Sequence, residues 1–508
     1  MQRPQGVPAR GDGRHRVITV RSPFSGEVID TLADSSREEV QASVARSRAV
    51  QPAWAAMSLR DRAAIILSFH DLLVQRRQEI LDLLQREAGK SRRDAMEEVL
   101  DVLVTARHYS RDASRLLSSR RVRGVIPLAV SAEIRRIPWG VVGVVAPWNY
   151  PLTLTASDAI PALLAGNTVV VKPDDRTSLT ALWVRDVMAE AGLPRDVLQV
   201  VLGAGDVVGP WLIDEVDYVM FTGSTRVGRI VAAQCGERLI PCSMELGGKN
   251  AMIIRADADP ERAAEIAVRA CFSNAGQLCI SMERIYVNVD VHDAFLAAFV
   301  RRTRALRLGT QIGWGSDMGS LISEDQVARA RRHVDDAVSR GAKVLAGGHA
   351  RPDIGPWFFE PTILANVTEG MEVCDEETFG PVVAVHPVHS DDEAVRLAND
   401  TEYGLNAAVI GRDRRAAQAV ARRLRAGTVN VNEGYAAAWG SIRAPMGGMG
   451  QSGLGRRHGD EGLLKYTQAQ TVATQRVLGL GAPAGWSDER WASTLLAAVT
   501  TMKRIGLK

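Results

Sequence analysis

What the chain lacks narrows its chemistry first. Its five cysteines (Cys235, Cys242, Cys271, Cys279 and Cys374) form no CxxC pair and show no metal-ligand spacing. That argues against a disulfide framework or a metal site and points to a reducing, cytoplasmic compartment. Neither sign of charge dominates, because 62 basic and 59 acidic residues are interspersed and leave a formal charge of +3. No long-range field therefore recruits nucleic acid. No apolar run reaches the roughly 18 to 20 residues needed to cross a bilayer. Residues 1–16 lack the apolar stretch of a signal peptide and read as a basic tail. With membrane and nucleic acid set aside, a small molecule remains the expected partner.

What is present is a large, ordinary globular composition: 46% hydrophobic and 24% charged residues over 508 positions, enough for two or three structural units. From about residue 36 to 118 the apolar spacing is helical, with Ala63, Ile66, Leu67, Leu73 and Leu81 among polar neighbours. Residues 121–136 change period and predict a hairpin, with Val125, Pro127 and Ala129 facing Ala132, Ile134 and Arg136. Short β-branched runs at 141–145, 168–171, 198–201 and 218–221 then alternate with helical segments, the pattern of a parallel sheet covered on both faces. A second series is expected at 251–254, 344–346, 382–386 and 427–431. In the last thirty residues, Trp491, Leu495, Val499 and Met502 recur at helical spacing and predict a tail helix packed on the body.

Three short strings can carry chemistry. Cys279 follows Asn274-Ala-Gly276-Gln277-Leu. A lone cysteine is ordinarily an inert buried hydrophobe, but a polar, small-residue turn lets a substrate approach a thiolate. Cys271 ends a helical run and is expected to pack. Glu245-Leu-Gly-Gly-Lys-Asn250 sets a carboxylate beside two glycines; alone it reads as a surface loop, but near a nucleophile Glu245 can activate water. In Pro147-Trp148-Asn149-Tyr-Pro151 two prolines hold an amide in a bend, where it can donate to an oxyanion. The glycine turns Gly203-Ala-Gly205-Asp-Val-Val-Gly209 and Gly223-Ser224-Thr-Arg-Val-Gly228 can offer backbone N–H groups to phosphates. The first has one residue too many for GxGxxG, and the second lacks the lysine of a P-loop. Lys172-Pro173-Asp174-Asp175 closes a strand and can bracket a ribose.

Taken together, residues from about 22 to 475 resemble the aldehyde dehydrogenase superfamily. The likeness rests on Pro147-Trp-Asn149, Lys172-Pro173, Gly223-Ser224-Thr225, Glu245-Leu-Gly-Gly-Lys249, Gly276-Gln-Leu-Cys279 and Glu376-Glu-Thr-Phe-Gly-Pro381. It implies an α/β fold with a doubly wound, Rossmann-type NAD(P)-binding domain (17–121 and 138–246) and an α/β catalytic domain (247–446). It also implies an oligomerisation sheet (122–137 and 460–476), followed by the C-terminal tail (477–508) and association into homodimers or homotetramers.

The same resemblance makes Cys279 the nucleophile, Glu245 the base, and Asn149 an oxyanion donor. Trp148, Lys172, Pro173, Asp174, Asp175, Gly205, Gly209, Gly223, Ser224, Leu246, Glu377 and Phe379 would line NAD or NADP. A carboxylate at Asp175 favours NAD, and Arg176 can offset that preference. The stretches 144–155, 426–444 and 445–459 look most like bacterial succinate-semialdehyde dehydrogenases. Better-known members of that group grip the substrate carboxylate with an arginine just before the Asn of the cysteine loop; Ser273 stands here, so Ser441 or Arg443 is expected to substitute. The competing readings are an aldehyde dehydrogenase for another aliphatic or aromatic aldehyde and a cofactor-independent thiol esterase.

Overall fold

The computed structural model describes residues 17–123, 130–476 and 481–506; the expected basic tail at 1–16 and the expected facing of Val125, Pro127 and Ala129 with Ala132, Ile134 and Arg136 lie outside them. A two-stranded antiparallel ribbon, Val17–Arg21 with Val28–Ala33, precedes four helices, Arg37–Ala56, Leu59–Gln75, Arg77–Ala88 and Arg92–Leu117. Their starts are written locally. Ser36 and Glu39 form a reciprocal capping box, while Ser58 and Ser91 accept from the amides of Asp61 and Asp94. Ile66, Phe69, Leu73, Val99 and Val102 form the buried faces of these helices and pack in one core with Val142, Val144 and Val169 of the first sheet.

That sheet has six strands in the order Gly453–Leu454, Cys242–Glu245, Tyr218–Thr222, Val141–Ala146, Thr168–Pro173, Leu198–Val200; all but the first are parallel. The chain starts in the middle at Val141–Ala146, runs to one side and then returns to the other. The loops after Val141–Ala146 and Tyr218–Thr222 therefore diverge at a switch point where doubly wound sheets bind ligands. They carry Asn149 and Gly223.

A seven-stranded sheet follows in the order Lys343–Ala346, Thr362–Ala365, Val382–Val388, Met282–Asn288, Asn250–Ile254, Asn406–Ile410, Thr428–Val431. Four of these strands match the expected series; Met282–Asn288, Thr362–Ala365 and Asn406–Ile410 were not anticipated. Only four residues, Leu246 to Lys249, separate the last residue of Cys242–Glu245 from the first of Asn250–Ile254. The carboxyl ends of the first sheet thus meet the amino ends of the second.

The hairpin exists as Arg120–Arg123 paired antiparallel with Val130–Pro138, which also pairs along its length with Thr467–Gln475. Beyond Thr467 the last of these strands is exposed. The tail helix forms at Asp488–Arg504, but it does not pack as expected. Trp491 is buried and meets Trp486 edge-on at 6.0 Å, while Leu495 and Met502 are only half-buried and Val499 is 50% exposed. Helical spacing identifies the apolar face; it does not supply a surface to cover it. Among the described residues no helix is long and apolar enough to cross a membrane.

Candidate active site

The helix Pro260–Phe272 stops at Ser273, and the chain then reverses through left-handed residues Asn274 (φ 50°), Ala275 (φ 54°) and Gly276 (φ 72°). Glycine is required at the third, because a Cβ on Gly276 would stand 2.2 Å from the Gly380 carbonyl oxygen. Side-chain amides hold the reversal. Asn274 Nδ2 donates to the carbonyls of Asn149 and Gln277, each at 3.1 Å. Asn250 Nδ2 donates to Cys279 O (2.8 Å) and Ser281 O (2.7 Å), and Asn406 Nδ2 to Ile280 O (2.9 Å). Cys279 is thus presented on a loop fixed from both sides. Cys271, by contrast, is packed in the core with Phe272 and Phe299.

Burial pushes the Cys279 thiol up to about 12; Arg457 pulls against this, and the charges of Glu245 and Glu377 add to it. Glu245 ends its strand, where its carbonyl accepts from Gly223 N at 3.1 Å. Its carboxyl is buried, with Oε1 free of any hydrogen bond among the described residues. Burial raises it to about 7, with Arg457 and Lys465 opposing. A carboxyl poised near neutrality suits proton transfer. Asn149 Nδ2 donates to Gln277 O at 3.0 Å, which leaves the second N–H of the amide for an incoming oxygen. The turn that carries Asn149 is anchored from beneath: Glu98 accepts from Leu152 N and Thr153 N and pairs at 2.7 Å with buried Lys90, whose ammonium lies 3.5 Å from the Tyr150 ring centroid.

Cys279 and Asn149 share the wall of one cavity with an empty volume of about 850 Å³, its open mouth included. Ser441 and Arg443 are not on that wall, which corrects the expectation for the substrate carboxylate. The Ser441 hydroxyl turns back onto Ala437 O, and Arg443 is 80% exposed and directed at Asp112, 3.5 Å away. Ser273 is engaged by the Tyr435 hydroxyl at 2.9 Å. Instead the wall includes Arg457, Lys465, His458 and Asp158, which residue-by-residue reading passed over. Arg457 lies in a glycine-rich stretch with no periodicity, and only its long-range pairing with Asp158 reveals it.

The expected cofactor residues lie off the wall of that cavity. Lys172, next to last in its strand, is buried, which lowers its ammonium, and stands 4.0 Å from Asp175; a Cβ on Gly205 would come within 3.7 Å of its Nζ. Pro173 ends the same strand opposite Ala146. Asp174 accepts from Arg176 N and Nε at 3.1 and 2.9 Å, so Arg176 is tied to Asp174 and lies 5.5 Å from the Trp148 ring. A Cβ added to Gly209 would meet open space. Gly223 precedes Ser224, which caps the helix Thr225–Glu237, and Leu246 fills the space that a side chain at Gly228 would need. Phe379 meets Trp148 edge-on at 5.5 Å.

Glu377 accepts from Gly248 N at 2.9 Å, and burial raises its carboxyl to about 7. Its loop is held by Glu283, which accepts from Thr378 N and Phe379 N and pairs with Lys249 at 2.5 Å. A buried ammonium, a capped helix N-terminus and an inward carboxylate suit phosphates and ribose hydroxyls.

A family model described as "Aldehyde dehydrogenase family" matches residues 10–472. The chain belongs to the aldehyde dehydrogenase family. Within it, a Mycolicibacterium smegmatis protein is 51% identical over 486 residues, 96% of this chain and 94% of that protein. Its name is "Putative succinate-semialdehyde dehydrogenase", with NADP(+) specified. Betaine aldehyde dehydrogenase of Bacillus subtilis is 35% identical over 470 residues, covering 90% and 94% of the two chains. Among solved structures of the family, an NADP-dependent enzyme of E. coli superposes with a TM-score of 0.87 at 32% identity, covering 91% and 95%. A Staphylococcus aureus betaine aldehyde dehydrogenase in complex with NAD+ gives 0.86 at 32% identity, covering 91% and 93%.

Proposed function

We propose that this family member oxidises succinate semialdehyde to succinate through a covalent intermediate on Cys279, using NADP or NAD. The observation that carries the reading is a thiol and an amide on the wall of one cavity, with a buried carboxyl whose charge acts on that thiol and whose Oε1 has no hydrogen bond among the described residues. The relatives at about 50% identity whose names specify NADP(+) support the substrate and the cofactor. The residues expected at the cofactor support it further: Lys172 and Glu377 would hold the riboses, Gly205, Gly209 and the Ser224 end of its helix would meet the pyrophosphate, and Trp148, Leu246 and Phe379 would supply apolar walls. The nicotinamide cofactor supplies the acceptor for the hydride that leaves the substrate carbon.

The chain's own residues do the rest. Glu245 takes the Cys279 proton, and the sulfur forms a C–S bond to the aldehyde carbon while Asn149 and the Cys279 backbone N–H hold the oxygen as it gains charge. Once hydride has left, the carbon is a thioester. Glu245 gives the first proton up to solvent and then takes one from water, whose oxygen attacks that carbon; the C–S bond breaks, the sulfur leaves as thiolate and recovers the proton from Glu245, and the acid is released. Domains at 17–121 with 138–246 and at 247–446 would carry the two halves. The exposed strand Thr467–Gln475 and the free edge at Arg120–Arg123 favour a homodimer or homotetramer.

The test is aldehyde-dependent growth of NADPH or NADH absorbance with purified protein. It should fall by at least about four orders of magnitude in Cys279→Ala, since removing a nucleophile of this kind costs that much or more. Ester cleavage at the same rate with and without cofactor, and no cofactor reduction, would favour the thiol esterase instead.

A further inference from the structure

We propose that Arg457 and Lys465 form a carboxylate-binding subsite on the wall of the Cys279 cavity and so select aldehydes that carry a carboxylate. This rests on the reading that Cys279 takes an aldehyde. Both side chains line the same cavity as Cys279 and Asn149. Arg457 is fixed in place: Nε and Nη2 donate to Asp158 at 2.9 and 2.6 Å, and Nη2 also donates to Thr222 Oγ1 at 2.6 Å. Its remaining nitrogen, Nη1, has no hydrogen bond among the described residues, so one edge of an oriented guanidinium stays available.

Lys465 differs in having no carboxylate partner. Its ammonium touches Met220 Sδ at 3.3 Å and sits 5.0 Å from the Tyr466 ring. Burial lowers it to about 8, with Asp158 acting in the opposite direction. Asp158 pairs with Arg457, and the Glu245 carboxyl, itself pushed up to about 7, offsets the Lys465 charge without forming an ion pair with it. A desolvated ammonium that no carboxylate contacts is costly, and an arriving carboxylate relieves that cost. Polar atoms on the same wall are also unspent: Thr105 Oγ1 and His458 Nδ1 are buried without hydrogen-bond partners, on residues 1% and 7% exposed.

Among the described residues no other lysine or arginine lines this cavity. Arg443 points away from the cavity and Arg269 is held by Glu97 at 2.8 Å. Arg457 is also the charge that pulls hardest against the raised Cys279 thiol, and both residues line the one cavity. Charge-assisted hydrogen bonds from two cations are strong enough to discriminate a carboxylate from a methyl group.

The experiment compares kcat/KM for succinate semialdehyde and for butanal, which has the same number of carbons, in the unaltered enzyme, Lys465→Met and Lys465→Arg. The preference for the charged aldehyde should fall about thirtyfold in Lys465→Met, chiefly through KM, and return in Lys465→Arg. An unchanged preference overturns the proposal, whether both rates fall together or neither does.

A second readout needs no turnover: succinate should slow alkylation of Cys279 by iodoacetamide in the unaltered protein and lose most of that effect in Lys465→Met. Equal protection in the two proteins, or none in the unaltered one, overturns the subsite. Failure of the unaltered protein to oxidise either aldehyde would overturn only the proposed activity, and the alkylation result would still decide the subsite.

Discussion

Two sides of the same cavity are built on opposite terms. Around Cys279 the backbone carbonyls of Gln277, Cys279, Ile280 and Ser281 are each taken by a side-chain amide from Asn149, Asn274, Asn250 or Asn406. Elsewhere on the wall Thr105, Tyr150, Thr153 and His458 each carry a buried polar atom with no hydrogen-bond partner among the described residues. A saturated network fixes a reacting atom in place, whereas unsatisfied buried groups cost about 1 to 3 kcal/mol each and are tolerated where water or a ligand completes them. The loop that presents the Cys279 thiol is held rigidly, and other parts of the cavity wall are left to be filled.

Changing the reacting side should cost more than changing its supports. Asn149→Ala removes the oxyanion donor and should lower kcat by about 100- to 1,000-fold with the fold intact, as checked by steady-state kinetics and circular dichroism. A smaller loss would mean that the Cys279 amide alone holds the oxygen. Acidification comes next. With the Glu245 carboxyl at about 7, lowering the pH below that value protonates the base, so turnover should drop about tenfold per unit there and level off above it. A pH–rate profile for Glu245→Gln should lose that limb.

Asn406→Ala strips a donor from Ile280 O and Gly434 O and should cost about 1 to 3 kcal/mol in chemical denaturation. An unchanged midpoint would contradict the contrast between a saturated and an unsaturated side. The smallest effect is expected far away, where Leu496→Ser on the 69%-exposed face of the tail helix should shift stability by less than about 0.5 kcal/mol. A larger shift at high protein concentration would show that a second chain covers that face.

How much could be read from residues alone differed by element. The helices from 37 to 117 were legible because their caps and apolar stripes lie within a few residues of one another. Met282–Asn288 was not, since Glu283 and Arg284 interrupt its apolar run although every residue in it is buried. Those charges are compensated at long range, Glu283 by Lys249 and Arg284 by Lys249 O, Leu397 O and Ala398 O. Ser441 and Arg443 were chosen because a serine and an arginine fall in the right stretch of sequence; the direction in which a loop points is not encoded there.

Sequence by itself determined the family and four strands of each α/β series, and it singled out Cys279, Glu245 and Asn149 as candidates, because each of those readings rests on short strings or local periodicity. Tertiary structure alone decided which cations reach the cavity, why Arg457 can be buried against Asp158, and that the tail helix leaves most of its apolar face uncovered. Those outcomes depend on contacts between residues far apart in the chain, where the free energy of a charge or an apolar face is set by whatever folding brings beside it.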